Sequence, residues 1–302
     1  MQSQAVFVER KNCINCQSAS LGEIARGRYL DEPLRGFLAA DPWGVDPLQY
    51  LKTAEWSLVR CNDCSQVFHR LILNDEWNER RFSEWMSAAA IQEFEARNYA
   101  KGPMRRFDKE LQHTQHILRL EKLTRPLRGN QSVKLLDFGC GWGDFLNSCQ
   151  RFGFDAVGVD RSTARRSNSV VRIEPSLADV AGPFHAVTLF ETLEHLDAPA
   201  AILKAVHPLL APGGVLVLET PDCKGAADIR SHRDYLLLHP LEHINAFTHD
   251  TLNSIAVRCG FKPNSRPAAH VTADLVRVAK TVAKSVLRRG ETSTQLYFRK
   301  VS

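Results

Sequence analysis

One segment constrains the fold of this 302-residue chain more than any other: a mainly apolar run, 135–138, leads directly into the glycine-rich turn 139–143. Residues typical of a helix follow, so the segment predicts a strand, a tight turn and a helix. Glycines suit such a turn because a Cβ would obstruct the close approach of a ligand to the backbone. In an open α/β sheet the turn lies at the carboxyl end of the first strand, where ligands bind.

The rest of the C-terminal half alternates short apolar runs with helical stretches, which is the pattern of a parallel sheet with crossover helices. It predicts an α/β domain with a seven-stranded, doubly wound (Rossmann-like) sheet. A basic helix is expected over residues 270–289, before the last strand. The predicted strands cover residues 133–138, 156–159, 170–173, 186–190, 215–219, 263–268 and 294–301.

A second signal, an acidic residue at the end of a predicted strand, narrows the choice of ligand. The run 156–159 predicts a strand that ends in Asp160, 21 residues after Gly139, placed to accept hydrogen bonds from both ribose hydroxyls. A dinucleotide-binding turn favours a third glycine where this chain has Asp144, and a carboxylate is unfavourable beside a pyrophosphate. S-adenosylmethionine has no phosphate, and its cationic amino and sulfonium groups suit an acidic site. The residues therefore favour S-adenosylmethionine as the cofactor.

Four of the eight cysteines form two C-x2-C pairs near the N-terminus. Two such pairs in one module are typical of a tetrahedral thiolate site and predict a structural zinc ion, with buried free thiols as the alternative. The 44 residues between the pairs exceed the usual gap of about 15 to 20, so we expect an insertion with a helix and turns around residues 34–51. The predicted ligands are Cys13, Cys16, Cys61 and Cys64.

These signals divide the chain into a zinc-binding module at 1–75, linker helices at 76–128 and the cofactor-binding domain at 129–302. No stretch approaches the roughly 18 apolar residues that span a bilayer, and the N-terminus lacks the apolar core of a signal peptide. We therefore expect no membrane partner and a cytoplasmic location. The formal net charge of +5 is modest and spread out, so a nucleic-acid partner is permitted but not favoured.

The stretches LLDFGCGWGDF, VGVD, FETLEHL and PGGVLVLETP together resemble the successive motifs of class I S-adenosylmethionine-dependent methyltransferases. The resemblance covers about residues 100–302 and implies a Rossmann-like methyltransferase domain. It implies that the methionine moiety of the cofactor contacts Asp137, Gly139, Gly141 and Gly143, and that Asp160 binds the ribose. Arg161 and Phe190 are further candidates for cofactor binding.

Acids and imidazoles after the predicted strand 186–190 form a second candidate site. Glu191, Glu194 and His195 are spaced i, i+3 and i+4, so a helix beginning there would place them on one face. With His243 they form a mixed oxygen and nitrogen set suited to Mg²⁺ or Mn²⁺. The spacing is similar to that of metal-dependent small-RNA 2′-O-methyltransferases and of ubiquinone-pathway catechol O-methyltransferases, which implies metal-assisted chemistry. Metal-free catalysis with His195 or His243 as general base is the favoured alternative, and a structural histidine pair is the third.

The segment LVRCNDCSQVF, followed by a helical linker, resembles the zinc-binding N-terminal region of a group that includes sugar C-methyltransferases. In that group an acid–histidine pair lies at the substrate and matches Glu242 and His243, but Pro240 stands where an aromatic hydroxyl is expected. We therefore expect methyl transfer to a hydroxyl of a small molecule, a sugar or sugar-linked metabolite. The alternatives are RNA 2′-O-methylation, sugar C-methylation and a catalytically silent cofactor-binding scaffold.

Overall fold

The computed structural model describes residues 4–87, 89–90, 93, 103–225, 232–269, 271, 276, 279 and 293–301. The chain forms two compact units, each assembled from separate segments. The first unit contains residues 1–100, 193–199 and 223–251, and the second contains residues 101–192, 200–222 and 252–302. The three-part division of the chain stays a prediction.

The first unit is built on antiparallel strands. Its four-stranded sheet has the order β11-β4-β3-β2, and β1 pairs with β5 in a separate two-stranded sheet. The insertion expected between the cysteine pairs contains α1 and a 3₁₀ turn at Pro47–Tyr50. The elements of this unit are β1 (Phe7–Glu9), β2 (Leu21–Arg28), α1 (Leu34–Ala39), β3 (Glu55–Cys61), β4 (Val67–His69), β5 (Leu71–Leu73), α2 (Asp75–Arg80), α7 (His232–Leu237) and β11 (Asn245–Ala246).

Aromatic side chains dominate the core of this first unit. Tyr29 and Trp85 are fully buried, and Trp77 is nearly so. Trp85 stacks on Tyr50 with ring centroids 5.7 Å apart and lies 5.9 Å from the ring of Trp77. Such large rings bury much apolar area for each residue, which gives a small unit with short strands a substantial core.

The second unit contains the predicted seven-stranded sheet, in the order β12-β13-β10-β9-β6-β7-β8. The five strands β10, β9, β6, β7 and β8 are parallel to one another, whereas β13 pairs antiparallel with β10, and β12 pairs antiparallel with β13 at the edge. The apolar runs of β6, β9 and β10 are buried, as expected for central parallel strands. Its strands are β6 (Lys134–Phe138), β7 (Asp155–Val159), β8 (Ile173–Glu174), β9 (Phe184–Phe190), β10 (Leu210–Pro221), β12 (Phe261–Asn264) and β13 (Ser293–Lys300).

The strand order of this sheet reverses between β6 and β9. From β6 the chain adds β7 and β8 on one side, and then returns to add β9 and β10 on the other. Ligands of open α/β sheets bind outside the carboxyl ends of the strands at such a switch point. The helices between and beside the strands are α3 (Pro103–Arg128), α4 (Asp144–Arg151), α5 (Thr163–Ser167), α6 (Pro199–Leu209) and α8 (His249–Arg258).

Three elements differ from the sequence prediction. The strand expected at 170–173 is only the two-residue β8, because Val170 is 85% exposed and contributes nothing to the sheet. The strand expected at 263–268 begins two residues earlier and ends at Asn264. The helix expected from Glu191 is a single 3₁₀ turn, Leu193–His195. The basic helix at 270–289 lies almost entirely outside the described residues, and no described helix is long and apolar enough to cross a membrane.

Candidate functional site

The glycine turn follows β6 at the switch point of the sheet, and its three glycines all adopt positive φ angles. A Cβ on Gly139 would come within 2.5 Å of Thr192 Oγ1, and one on Gly143 within 2.5 Å of Val171 Cγ2. A Cβ on Gly141 would meet no described atom within 4 Å. Two of the glycines therefore permit close packing, whereas Gly141 borders open space, which is the condition for a backbone that a cofactor approaches.

Asp160 connects the end of β7 to this turn. Its Oδ2 accepts a hydrogen bond from the Gly141 amide at 3.0 Å, and its Oδ1 accepts one from the Ser162 amide at 2.9 Å. The Arg165 guanidinium lies 3.4 Å from Oδ2. The Asp160 carboxylate, which is predicted to bind the ribose, is thus held by three donors beside the glycine turn. Arg161, the other residue predicted here, is exposed.

Asp137 lies within β6 and is almost fully buried. Thr188 Oγ1 donates a hydrogen bond to its Oδ1 at 2.6 Å. Burial, with a smaller contribution from Asp160, raises the pKa of Asp137 to about 7. This carboxyl therefore changes charge near neutral pH, and a cationic group bound beside it would favour the ionised form.

Phe190 ends β9, and its ring is packed between two others. The ring of His116 lies 4.6 Å away and that of Phe145 lies 5.2 Å away, measured between centroids. His116 is 3% exposed, and its Nδ1 lies 3.1 Å from Nε2 of Gln295. Its partner comes from β13, far away in the sequence, so the sequence carried no signal for this contact.

The four predicted cysteines converge in the first unit. The sulfur atoms of Cys13 and Cys64, and those of Cys16 and Cys61, are 3.5 Å apart, and all four lie within 4.8 Å of one another. A zinc ion with four bonds of about 2.3 Å to sulfur requires sulfur separations of nearly 4 Å. The chemistry and spacing of the four donors therefore fit zinc.

The two cysteine pairs share one backbone geometry. The residue after each second cysteine, Gln17 or Ser65, has a positive φ angle. Its amide donates to the carbonyl of the first cysteine of its pair, at 3.0 Å for Cys13 and 2.9 Å for Cys61. Each turn thus brings its two thiols to the same side of the backbone, in the same way.

A second cluster of potential ligands consists of Glu194, His195 and His243, whose donor atoms lie within 4.8 Å of one another. Glu194 is 2% exposed, and the two imidazole rings meet edge to face at 4.8 Å. Glu191 stays outside this group. It is exposed and has a φ of +47°, because the short 3₁₀ turn that begins at Leu193 replaces the helix that would have aligned it with the others.

A hydrogen bond fixes the proton position on the imidazole of His195. Nδ1 of His195 lies 2.9 Å from the Glu242 carbonyl oxygen, which can only accept, so Nδ1 carries the proton and Nε2 has the lone pair. The buried Nδ1 of His243 has no hydrogen-bond partner among the described residues.

Both imidazoles are neutral at physiological pH. Burial, followed by the nearby His243 and Arg81, lowers the pKa of His195 well below its ordinary value. Burial also lowers the pKa of His243 to about 4. Arg81 itself is buried, with its guanidinium 3.9 Å from the Glu242 carboxylate. Neutral imidazoles can accept a proton or bind a metal ion.

Comparison with known proteins identifies the family. A sequence profile described as "Methyltransferase domain" matches residues 92–265, more than half of the chain. The chain belongs to this methyltransferase family. The predictions of the class I methyltransferase family and of its Rossmann-like fold are therefore confirmed, and the seven-stranded sheet agrees with both.

Curated relatives of this methyltransferase include two ubiquinone biosynthesis O-methyltransferases. The protein of Psychrobacter cryohalolentis is 42% identical over 108 residues, which are 30% of this chain and 42% of the relative. The protein of Psychrobacter arcticus is 34% identical over 162 residues, which are 44% of this chain and 60% of the relative. The methyltransferase thus matches about half the length of these relatives.

Solved structures that resemble the methyltransferase share little sequence with it. An S-adenosylmethionine-dependent methyltransferase from Archaeoglobus fulgidus is 19% identical, with a TM-score of 0.43 over 66% of this chain and 100% of that one. The plantazolicin methyltransferase BpumL, in complex with a triazolic desmethylPZN analogue and SAH, is 12% identical, with a TM-score of 0.48 over 75% of this chain and 95% of that one.

Proposed function

We propose that this protein transfers the methyl group of S-adenosylmethionine to a hydroxyl oxygen of a small molecule, with His195 or His243 accepting the hydroxyl proton. The observation that carries the proposal is the pair of adjoining imidazoles: a hydrogen bond at Nδ1 leaves the lone pair of His195 on Nε2, and Nδ1 of His243 has no hydrogen-bond partner among the described residues. The turn that carries His195 begins three residues after β9 ends at Phe190.

The proposed cofactor site is the glycine turn with its two acids. Gly141 leaves room for the methionine moiety, the Asp137 carboxylate faces cationic groups when ionised, and Asp160 binds the ribose hydroxyls. Gly139, Gly143, Arg161 and Phe190 complete the proposed set. When bound, S-adenosylmethionine supplies an electrophilic methyl group bonded to a positively charged sulfur.

His195, His243 and Glu194 provide the proton transfer that accompanies methyl transfer. The acceptor oxygen forms a bond to the methyl carbon as the carbon–sulfur bond breaks, and the hydroxyl proton passes to the lone pair of one imidazole, Nε2 of His195 or Nδ1 of His243. Proton removal by a positioned base typically contributes about 10²- to 10⁴-fold to the rate. Glu194, close to the Nε2 of His195 at 3.9 Å, stabilises the imidazolium that forms.

A second candidate mechanism adds a divalent ion at the same cluster. With Glu191 outside the group, the donors are one carboxylate and two imidazoles. This set favours Mn²⁺ or Zn²⁺ over Mg²⁺, which prefers oxygen ligands. The hydrogen bond from His195 to the Glu242 carbonyl is also the kind of contact that orients a metal-binding imidazole. Such an ion would bind the acceptor oxygen and lower the pKa of its hydroxyl.

Two acceptor classes follow from the available observations. The names of the Psychrobacter relatives suggest an O-methyl acceptor of the ubiquinone pathway, that is, an aromatic hydroxyl. The resemblance of the N-terminal cysteine module to that of sugar C-methyltransferases supports a sugar or sugar-linked hydroxyl as the acceptor. The structural zinc ion at the four cysteines is part of this proposal, and a small RNA remains the acceptor to exclude.

The test is a transfer assay with S-adenosylmethionine labelled in the methyl group, against catechols, nucleotide sugars and a small RNA. With the acceptor that reacts, His195→Ala and His243→Ala are expected to lose at least about 100-fold in kcat. His249→Ala, at the start of α8, serves as the matched control and should keep full activity. Full activity in both variants of the cluster would refute base catalysis at this site.

A chelator experiment separates the two mechanisms. The assay is repeated after brief chelation that leaves the cysteine-bound zinc in place, as verified by metal analysis. Unchanged turnover supports the metal-free mechanism. Loss of turnover that Mn²⁺ reverses more fully than Mg²⁺ supports the metal-assisted one.

A further inference from the structure

We infer that Asn245 is a positioning residue for the turn that carries Glu194 and His195, and that Arg10 connects it to the cysteine module. The catalytic meaning of this inference rests on the proposed function of His195. Asn245 is fully buried, and its Nδ2 donates to the carbonyl oxygens of Leu193 at 2.9 Å and Leu196 at 2.7 Å. These two carbonyls flank Glu194 and His195, so one side-chain amide holds both ends of the turn.

The orientation of this amide is fixed from its other side. Oδ1 of Asn245 accepts a hydrogen bond from Nη1 of Arg10 at 2.7 Å. A flipped amide would turn its NH₂ group toward the guanidinium and its oxygen toward two carbonyl oxygens, which would remove all three bonds. The asparagine is thus the side chain that matches a cation on one side and two carbonyls on the other.

Arg10 is in turn held by the backbone of the four-stranded sheet. Its Nε lies 3.0 Å from the His69 carbonyl oxygen, and its Nη2 donates to the same oxygen and to that of Ile244, at 2.7 Å. The guanidinium also lies 5.0 Å from the centre of the Phe68 ring. Phe68 and Asn245 are paired residues of β4 and β11. Arg10 therefore joins β4 to the segment that contains Asn245.

Arg10 lies close in sequence to the first cysteine pair. Arg10 precedes Cys13 by three residues. Asn15, inside the pair, is buried, and its Nδ2 donates to the Thr251 carbonyl at 3.2 Å. The cysteine module is therefore connected twice to the segment 245–251.

The residues just before this segment, 242–243, contribute to the pair of imidazoles. The Glu242 carbonyl fixes the tautomer of His195, and the next residue is His243 itself. Asn245 then holds the turn in which His195 lies. Loss of the Asn245 amide should let the turn move away from the Glu242 carbonyl, and the single tautomer of His195 should disappear with that bond.

The test compares Asn245→Asp with Asn264→Asp, a matched charge change on the edge strand β12. Asn245→Asp keeps an acceptor for Arg10 but replaces the two N–H donors with an oxygen. The main readout is long-range ¹H–¹⁵N NMR of protein labelled on the histidine rings, with His195 assigned by its loss in His195→Gln. We expect one tautomer in the wild type and in Asn264→Asp, and a mixture in Asn245→Asp.

The second part of the test is a measurement of kcat. Asn245→Asp should lose at least about 10-fold in kcat, with unchanged zinc content and unchanged affinity for S-adenosylhomocysteine. A His195 spectrum and a kcat equal to those of Asn264→Asp would overturn the inference. If Asn245→Asp does not fold, Arg10→Lys replaces it; a changed His195 tautomer supports the inference, and an unchanged one overturns it.

Failure of the two proposals can be told apart. Full turnover in His195→Ala would refute the role of His195 in catalysis, whatever the effect of Asn245→Asp. The tautomer of His195 is measured without substrate, so it tests the positioning role by itself.

Discussion

The Asp160 carboxylate accepts a hydrogen bond from the backbone amide of Gly141, with Oδ2 and N 3.0 Å apart. This bond joins the strand β7 to the turn after β6, and so couples the two sequence signals that predicted the cofactor. The carboxylate is 7% exposed and is held by two further donors. Its position beside the glycine turn is therefore set before any ligand binds.

Asp160→Asn should weaken the binding of S-adenosylhomocysteine by at least about 10-fold, because a hydrogen bond to a charged group contributes roughly 1.5 to 3 kcal/mol. Isothermal titration calorimetry measures the affinity. The control is Asp155→Asn, an exposed position at the start of β7 that carries the same charge change. Equal affinities in both variants would contradict the ribose role of Asp160.

Gly141→Ala and Gly153→Ala form a matched pair. Both glycines have positive φ angles, and a Cβ at either would meet no described atom within 4 Å. Each alanine should therefore lower the free energy of unfolding by about 1 kcal/mol through backbone strain alone. Only Gly141→Ala should also reduce S-adenosylhomocysteine affinity, by at least about 10-fold if the ligand fills that space. Denaturant titration and calorimetry separate the two effects, and equal binding by both variants would exclude a cofactor beside Gly141.

The cysteine cluster predicts one zinc ion per chain. Cys16→Ser should abolish stoichiometric zinc, as measured by elemental analysis, and should lower the Tm, because zinc binding stabilises such modules directly. Cys259→Ser changes a buried thiol outside the cluster and should keep the metal. Cobalt-substituted wild type should show thiolate-to-metal charge-transfer bands that are absent in Cys16→Ser. Zinc content independent of Cys16 would show that these sulfurs are free thiols.

Asp137 makes the stability of the cofactor-free protein depend on pH. Its pKa is raised from 3.8 to about 7 in the folded state, so the folded state binds more protons than the unfolded chain between these values. The free energy of unfolding should therefore fall as pH rises from about 4 to about 7, by at most about 4 kcal/mol from this group. Asp137→Asn should flatten the profile, which denaturant titrations at several pH values would show. An identical pH profile in the variant would contradict the raised pKa.

The parallel strands and the glycine turn were predictable because each is a local pattern. The runs that form β6, β9 and β10 are continuously apolar, as strands buried on both faces must be. At the ends of the sheet this signal fails. Val170 looks like a strand residue but is exposed, and β8 has only two residues.

The types of residue in the candidate site could be predicted from the sequence, but the local structure that positions them could not. The motif that contains Glu194 and His195 is visible in the sequence, but the spacing suggested a helix that is not formed. The turn is instead held by Asn245, about fifty residues away, and no local pattern marks that contact. The sequence around Arg10 likewise gives no indication that this half-buried side chain joins several segments, because its partners are mainly backbone carbonyls from other segments.

The pairing of β4 with β11 has a consequence for biosynthesis. Asn245 follows its partner Phe68 by 177 residues, so the last strand of the small sheet leaves the ribosome long after the first three. At about 5 to 20 residues per second, this delay is roughly 10 to 35 seconds. During that interval the edge of β4 lacks its native partner strand, and an unpaired strand edge is a site where other strands can bind. Metal supply alone therefore does not complete the N-terminal module, which matures only when most of the protein has been translated.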